Sequence, residues 1–560
     1  MRYDPFQEQA IAAVDLEKSV LVSAPTGAGK TAIAEYAIVK ALSRGERVIY
    51  TAPIKALSNQ KYRDFSVRYP DQVGLLTGDV SLNAQAPLVI MTTEIYRNQL
   101  FEDPERLKKT SWVIFDEVHY LDDFERGTVW EEAIMFSPEH VRFLALSATA
   151  PNIEEVAEWI RSILNHPIEV IIETHRPVPL VPLFQCQGQI YSDPRALRHE
   201  GYMGQDSWPS GGGGGGGHRH GRERFNRQSY RRFLHARPNR TDDLIHHLLK
   251  EKRLPCLYFA FGRKRAEELA WEQQKFDFLR TRDYYQMAGR AGRRGMDAEG
   301  YVYARINPHY IQYPAVMKVV YGQPEAIESQ FNSRYATLLN LYAQFGSKLI
   351  DIYPRSFHFY QSNKKGRQKG VAAIEKKLAL LKELGHLAGE GLTPKGEFAS
   401  WMYGYEILLS ELLEEGYLET LDEVKLSVLL CALVFEPRKN QETRKLPPHL
   451  ENIEKRAAKC LRLVHIKELA NKVYPQTKSP YFHLSKALEA WIAGCQFHDL
   501  VDYTDVDEGE VIRYFRMVIQ LLRQLKQAPQ VSERLRQTAK SAQNKINRDL
   551  VDAEKQLRNM

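Results

Sequence analysis

Ala24-Pro25-Thr26-Gly27-Ala28-Gly29-Lys30-Thr31 is the stretch on which the fold turns. Ser19-Val20-Leu21-Val22 before it is an apolar strand, and Ala32-Ile33-Ala34-Glu35-Tyr36-Ala37-Ile38-Val39 after it carries apolar residues at helical spacing. Strand, glycine-rich turn and helix form the setting in which successive backbone N–H groups close round one phosphate. Thr26, Gly27, Ala28 and Gly29 make that cradle, and the helix start adds partial positive charge. Lys30 supplies a point charge for the outer phosphates, and Thr31 offers a hydroxyl to Mg²⁺. Ala24 stands where the strict pattern has glycine.

A second apolar strand, Trp112-Val113-Ile114-Phe115, runs into Asp116-Glu117-Val118-His119. Parallel sheets bind ligands at the carboxyl ends of their strands. Asp116 there would hold Mg²⁺, and Glu117 would orient and deprotonate the attacking water. Phosphoryl transfer needs little more than positioning and charge stabilisation, so the cradle, lysine and two acids form a nucleotide-hydrolysing set. Asp4-Pro5-Phe6-Gln7 precedes the first helix; Phe6 is a candidate to stack on a purine and Gln7 to read the adenine edge. The competing reading is a helix cap with a core Phe.

The chain has 560 residues, 43% of them hydrophobic, enough for several cored domains. A net charge of +7 is compatible with a polyanionic partner without demanding one. Its five cysteines, Cys186, Cys256, Cys431, Cys460 and Cys495, make neither a metal spacing nor an even disulfide set, which fits a reducing cytoplasm. No apolar run reaches the roughly 18 residues of a membrane span, and Met1-Arg2-Tyr3-Asp4 opens no signal peptide.

Further strand ends carry polar or small residues: Pro53, Lys55 and Asn59 after Val48-Ile49-Tyr50, then Thr77 and Gly78, Thr93, and Ser147 with Thr149. One α/β domain would gather them on a single rim, where they suit a sugar–phosphate backbone. APTGAGKT, TAPIKALSNQKYRDF, LLTGDV, MTTEIYRNQL, VIFDEVHYLDD, FERGTVWEEAI and LALSATAPN together resemble the first motor lobe of superfamily-two DExH helicases, closest to superkiller-type RNA helicases of bacterial or plastid kind. That resemblance implies a RecA-like parallel-sheet lobe over residues 1–180 that binds ATP and Mg²⁺. It implies that Ser147 and Thr149 couple hydrolysis to domain movement, and that Pro53, Lys55, Asn59, Thr77, Gly78 and Thr93 line the nucleic-acid path.

Residues 181–240 read as a linker holding seven glycines, Gly211 to Gly217, and then an Arg-rich run with Phe225, Tyr230 and Phe233. A glycine run is a flexible tether. The basic aromatic part reads either as solvated linker or as a strip for single-stranded RNA. Leu254 to Phe261 reads as a strand and Lys264 to Trp271 as a helix, resembling the opening of a second RecA-like lobe. Gln286-Met287-Ala288-Gly289-Arg290-Ala291-Gly292-Arg293-Arg294-Gly295 matches a family motif in which Gln286 belongs to the catalytic set and Arg290 and Arg293 reach the γ-phosphate as arginine fingers. Only Glu272 to Asp283 separate the two pieces. A βαβ unit takes roughly 30 residues, so residues 241–310 read as a truncated second lobe.

Residues 311–395 resemble a winged-helix connector, and residues 396–560 a mainly helical DSHCT domain. Val518, Leu521, Leu522 and Leu525 give its late helix a core face. Arg513 is the residue expected on the RNA path, with Arg516 and Arg523 expected in solvent. The resemblance implies an ATP-dependent RNA helicase acting on single-stranded or structured RNA, with RNA-processing or nuclease partners and no membrane. Two alternatives stay open: a nucleotide- and RNA-binding relic without turnover, and a DNA helicase.

Overall fold

Eight strands form one sheet in the order β4-β3-β5-β2-β6-β7-β1-β8. They are β1 (Ser19–Ser23), β2 (Arg47–Ala52), β3 (Val73–Leu76), β4 (Ser81–Leu82), β5 (Leu88–Thr92), β6 (Thr110–Asp116), β7 (Arg142–Ser147) and β8 (Ile168–Ile172). Every pairing is parallel except β3 with β4. The computed structural model describes residues 3–199 apart from 79, 125, 165 and 166, then 239–257, 279–306 apart from 293, 313–437 apart from 332, and 446–552.

Strand side chains alternate between two faces. Val20, Val22, Val48, Tyr50, Trp112 and Ile114 face a core shared with α1 (Pro5–Asp15) and α2 (Thr31–Ser43). Leu21, Ile49, Val113 and Phe115 face the other core, with Tyr96, Trp130 and Trp159 from α4 (Thr93–Glu102), α5 (Gly127–Met135) and α6 (Ile153–Ile163); α3 (Lys55–Arg68) follows β2. The second core continues into Leu339, Tyr342, Phe357 and Ile374. Residues of the helices Tyr335–Phe345 and Lys364–Glu383 therefore share one core with the large sheet. Both helices precede a two-stranded hairpin, Leu387–Ala388 with Gly391–Leu392.

That junction buries carboxylates. Glu131 on α5 accepts hydrogen bonds from the Ser329 hydroxyl at 2.6 Å and the His358 N–H at 3.1 Å. Burial is the largest influence and pushes its carboxyl up from 4.5 to about 7. The folded group keeps its proton across a window in which the unfolded chain releases it, so stability falls as pH rises from about 4.5 towards 7. The loss amounts to at most about 3 kcal/mol. Glu131→Gln preserves both contacts without an ionisable group. Its melting temperature is expected to stay flatter than the wild type's between pH 5 and 8, and parallel curves would count against this assignment.

A second sheet has the order β10-β9-β11, with β9 (Leu180–Cys186), β10 (Gln189–Tyr191) and β11 (Gly300–Arg305). This corrects the linker read from residue 181 onward: residues 181–186 and 189–191 are strands, and β9 pairs in parallel with β11, from Leu180 opposite Gly300 to Gln185 opposite Arg305. Phe184, Cys186, Tyr284, Ala288, Ile306, Val316 and Val320 form its small core. Leu254 to Leu257 do not form the expected strand. Tyr258 to Phe261, the helix expected at Lys264 to Trp271, and the glycine and arginine-rich run with Phe225, Tyr230 and Phe233 lie outside the described residues. The C-terminal bundle has its own core around Trp491, with Val511, Phe515, Val518, Leu521, Leu522 and Leu525 from the helix Glu508–Gln527.

Candidate active site

The ends of β1, β7 and β6 lie side by side, which brings three loops together. After β1 the chain curls through Gly27 (φ 87°) and Gly29 (φ 92°), a backbone region that a Cβ disfavours, and enters α2 at Thr31. The Ala24 N–H donates to the Ser147 carbonyl at 3.2 Å, tying this loop to the end of β7. Lys30 Nζ folds back along its own loop and donates to the carbonyls of Ala24 at 2.7 Å and Pro25 at 3.2 Å. Burial lowers the Lys30 pKa, and the charges of Glu117 and Asp116 oppose that shift. Ser147 is fully buried with its hydroxyl unpartnered, and Thr149 is half-buried.

β6 ends at Asp116, whose Oδ2 accepts from the Tyr50 hydroxyl at 2.6 Å. Burial and the neighbouring Glu117 charge raise the Asp116 pKa against Lys61, Tyr50 and Lys30. Lys61 Nζ donates to Thr31 Oγ1 at 3.3 Å, and its charge is among those that lower the Asp116 pKa. A carboxylate and a threonine hydroxyl are oxygen donors of the kind that suits a hard divalent cation leaning on substrate phosphates. Glu117 adopts a left-handed conformation (φ 65°), uncommon for a non-glycine residue, and so turns the chain sharply off the strand. His119 Nδ1 accepts from the Ala148 N–H at 3.2 Å and lies 3.5 Å from Glu117 Oε2. Burial holds its pKa down at about 3, so the ring is neutral.

The second lobe closes this site. Gln286, on the helix Thr281–Ala288, places its side-chain amide against His119 Nε2. Arg176 donates to the carbonyls of Thr26, Gly289 (3.1 Å) and Ala291 (2.9 Å), stapling the glycine loop to the second lobe. A Cβ on Gly289 would stand 2.5 Å from Thr26 Cβ, so only glycine permits this approach. Arg294 donates to the Ala28 carbonyl at 3.2 Å and pairs with Asp4 at 2.6 Å. Arg290 is exposed, and Arg293 lies outside the described residues.

Phe6 and Gln7 make the contacts expected of the cap reading. Phe6 is buried in the first core. Gln7 is also buried; it accepts from the Asp4 N–H and donates to the Gly29 carbonyl, both at 2.9 Å, so its amide braces the glycine loop.

Pro53, Lys55, Asn59, Thr77, Gly78 and Thr93 follow β2, β3 and β5 on the same rim as the acid pair. Thr93 is fully buried, and the Thr93 hydroxyl and Asn59 Oδ1 are buried without partners. Arg523 departs from its expected place in solvent: it donates to the Gly78 carbonyl at 3.0 Å. Arg516 is likewise engaged, donating to the carbonyls of Val551 and Leu550. Arg513 is exposed, its guanidinium 5.2 Å from the Tyr514 ring centre. Sequence reasoning missed Arg176, Arg294 and His119 as site residues. The last two sit inside motifs already singled out, whereas Arg176 carried only its place at the end of the first lobe.

Comparison with known proteins agrees with this geometry. Residues 4–156 match the DEAD/DEAH box helicase family, and residues 389–554 match the DSHCT (NUC185) domain. The chain is 32% identical to mouse Superkiller complex protein 2 over 519 aligned residues, which cover 71% of this chain and 40% of that protein. It is 39% identical over 280 residues to DExH-box ATP-dependent RNA helicase DExH9 of Arabidopsis thaliana, covering 49% of this chain and 28% of the relative. Over 177 residues it is 53% identical to mouse Exosome RNA helicase MTR4, covering 32% of this chain and 17% of the relative. The matched part thus spans well under two thirds of each of these relatives. One region of the chain is thus similar to DEAD/DEAH box helicases and a later region to the DSHCT domain.

Proposed function

We propose that this protein is an ATP-dependent RNA helicase or translocase of the superkiller type, of bacterial or plastid kind, working in the cytoplasm. One observation carries the reading: the glycine loop with Lys30 and the acid pair Asp116 and Glu117 stand on one rim, on either side of β7, and Gln286, Gly289 and Arg294 pack against them from the segment before β11. Lys30 swings from the Ala24 and Pro25 carbonyls to the outer phosphates of ATP. Glu117 accepts the proton of the attacking water. Thr31 and Asp116 hold Mg²⁺, which neutralises phosphate charge when bound. Arg290 and Arg293 reach the γ-phosphate as arginine fingers, and Ser147 and Thr149 couple hydrolysis to domain movement. Pro53, Lys55, Asn59, Thr77, Gly78, Thr93 and Arg513 line the RNA path. RNA-processing or nuclease partners fit the names of the relatives, two of which belong by name to the superkiller complex and the exosome. Among the described residues no helix is long and apolar enough to cross a membrane.

The second sheet has three strands among the described residues, and this favours a second reading, a nucleotide- and RNA-binding relic. ATP hydrolysis measured with and without saturating single-stranded RNA separates the two. The helicase reading expects stimulation, and a flat rate at saturating RNA selects the relic. Competition by single-stranded DNA of equal length tests the choice of RNA; stronger competition by DNA selects a DNA helicase.

A further inference from the structure

Asp122 closes the short 3₁₀ turn Val118–Asp122 that begins immediately after Glu117. Its side chain is 9% exposed and receives two arginines of the second lobe on one oxygen. Arg282 Nη1 donates to Oδ2 at 2.8 Å and Arg280 Nη1 at 2.9 Å, while Gln330 Nε2 reaches Oδ1 at 3.4 Å. Arg282, 3% exposed, also donates to the carbonyls of Glu325 and Ala326. The Glu325 carboxylate accepts the N–H groups of Thr281 at 2.9 Å and Arg282 at 3.1 Å, and Asp283 pairs with Arg280 at 3.1 Å. The two arginines are thus balanced by three carboxylates in and around the contact.

Arg282 and Gln286 stand four residues apart, on one face of the helix Thr281–Ala288. Gln286 meets His119 near the start of the turn, and Arg282 meets Asp122 at its end. The turn is internally braced, with the Tyr120 N–H donating to the Glu117 carbonyl at 3.0 Å and the Asp123 N–H to the Tyr120 carbonyl at 2.9 Å. A shift at either grip therefore moves Glu117.

We propose that the Asp122–Arg282 contact, reinforced by Arg280, is a positioning clasp: the second lobe holds the turn at His119 and Asp122 and sets Glu117 for hydrolysis only while that helix is seated. The clasp rests on the reading of Glu117 as the group that activates water. Removing one partner of a largely buried ion pair leaves the other uncompensated. The lost contact joins two lobes but does not touch the nucleotide loop.

The experiment uses the full chain with Asp122→Asn, Asp122→Glu and Arg282→Met, measuring ATP kinetics at saturating RNA together with amide hydrogen exchange of residues 281–288. Asp122→Asn is expected to lower kcat about tenfold with KM for ATP within about twofold, and to speed exchange of the helix, in line with the usual size of inter-site coupling. Asp122→Glu, which keeps the charge, is expected to recover most of kcat. Faster exchange with kcat unchanged would reduce the contact to a structural one and overturn the proposal. If Asp122→Asn does not fold, Arg280→Gln, at a half-exposed position, carries the same expectation in weaker form. If the wild-type chain hydrolyses no ATP, the functional reading fails separately. The clasp is then judged by exchange in the Asp122→Asn and Arg282→Met double mutant: non-additive loss of protection supports it and additive loss sinks it.

Discussion

Glu117→Gln is expected to lower RNA-stimulated ATP turnover by about 10²–10⁴-fold, the range typical of losing a general base, while nucleotide affinity stays within a few-fold. The amide keeps the shape of the side chain and the left-handed turn at Glu117 but cannot take a proton from water. His119 does not substitute for it. That ring is committed at Nδ1 to the Ala148 N–H and at Nε2 to Gln286, and burial holds its pKa at about 3. Asp116 does not substitute either, because its carboxylate is tied to Tyr50 and assigned to Mg²⁺. The glycine loop and Lys30 are untouched, so binding of a fluorescent ATP analogue should survive. Equal turnover in the two proteins would remove Glu117 from the mechanism.

Lys30→Met is expected to act on the other parameter, weakening ATP binding by about 10²–10³-fold, since losing one partner of a desolvated charge pair costs ~3–5 kcal/mol. Methionine fills a similar volume, so the loop need not collapse. What disappears is the cation facing two carboxylates as well as the incoming phosphates. Glu117 already raises the Asp116 pKa, and Lys30 is one of the groups opposing that rise. Without Lys30, Asp116 holds its proton to still higher pH and the site becomes poorer at retaining Mg²⁺. Titration of the same fluorescent analogue, with and without Mg²⁺, checks both effects. Unchanged affinity would show that the glycine loop binds phosphate without this lysine.

The strand–turn–helix at residues 19–39, the acid pair after β6 and the polar rim were legible because each is local. An apolar run of strand length, glycines at a turn and the first helical residue lie within a dozen positions, and period-2 burial makes the strand readable. The core face of the helix Glu508–Gln527 was legible for the same reason. The partnerships that close the site were not. Arg176 and Gly289, Arg294 and Asp4, Gln286 and His119, and Arg523 and Gly78 are separated by more than a hundred residues, and nothing in either member of a pair names the other. Arg523 shows this most plainly. On its own helix it lies outside the run of buried apolar residues, and it meets the Gly78 carbonyl only because the C-terminal bundle comes to lie against the rim of the first sheet.

By itself, the sequence determined that a glycine-rich loop and an acid pair would sit at strand ends of one parallel sheet, because backbone geometry and residue type settle those features within a few positions. Only the tertiary structure decided that residues 181–186 and 189–191 are strands and not linker, that Phe6 packs into the core and Gln7 braces the glycine loop, and that Arg280 and Arg282 converge on Asp122. Those outcomes depend on which surfaces exclude water together, and that is a property of the packed chain.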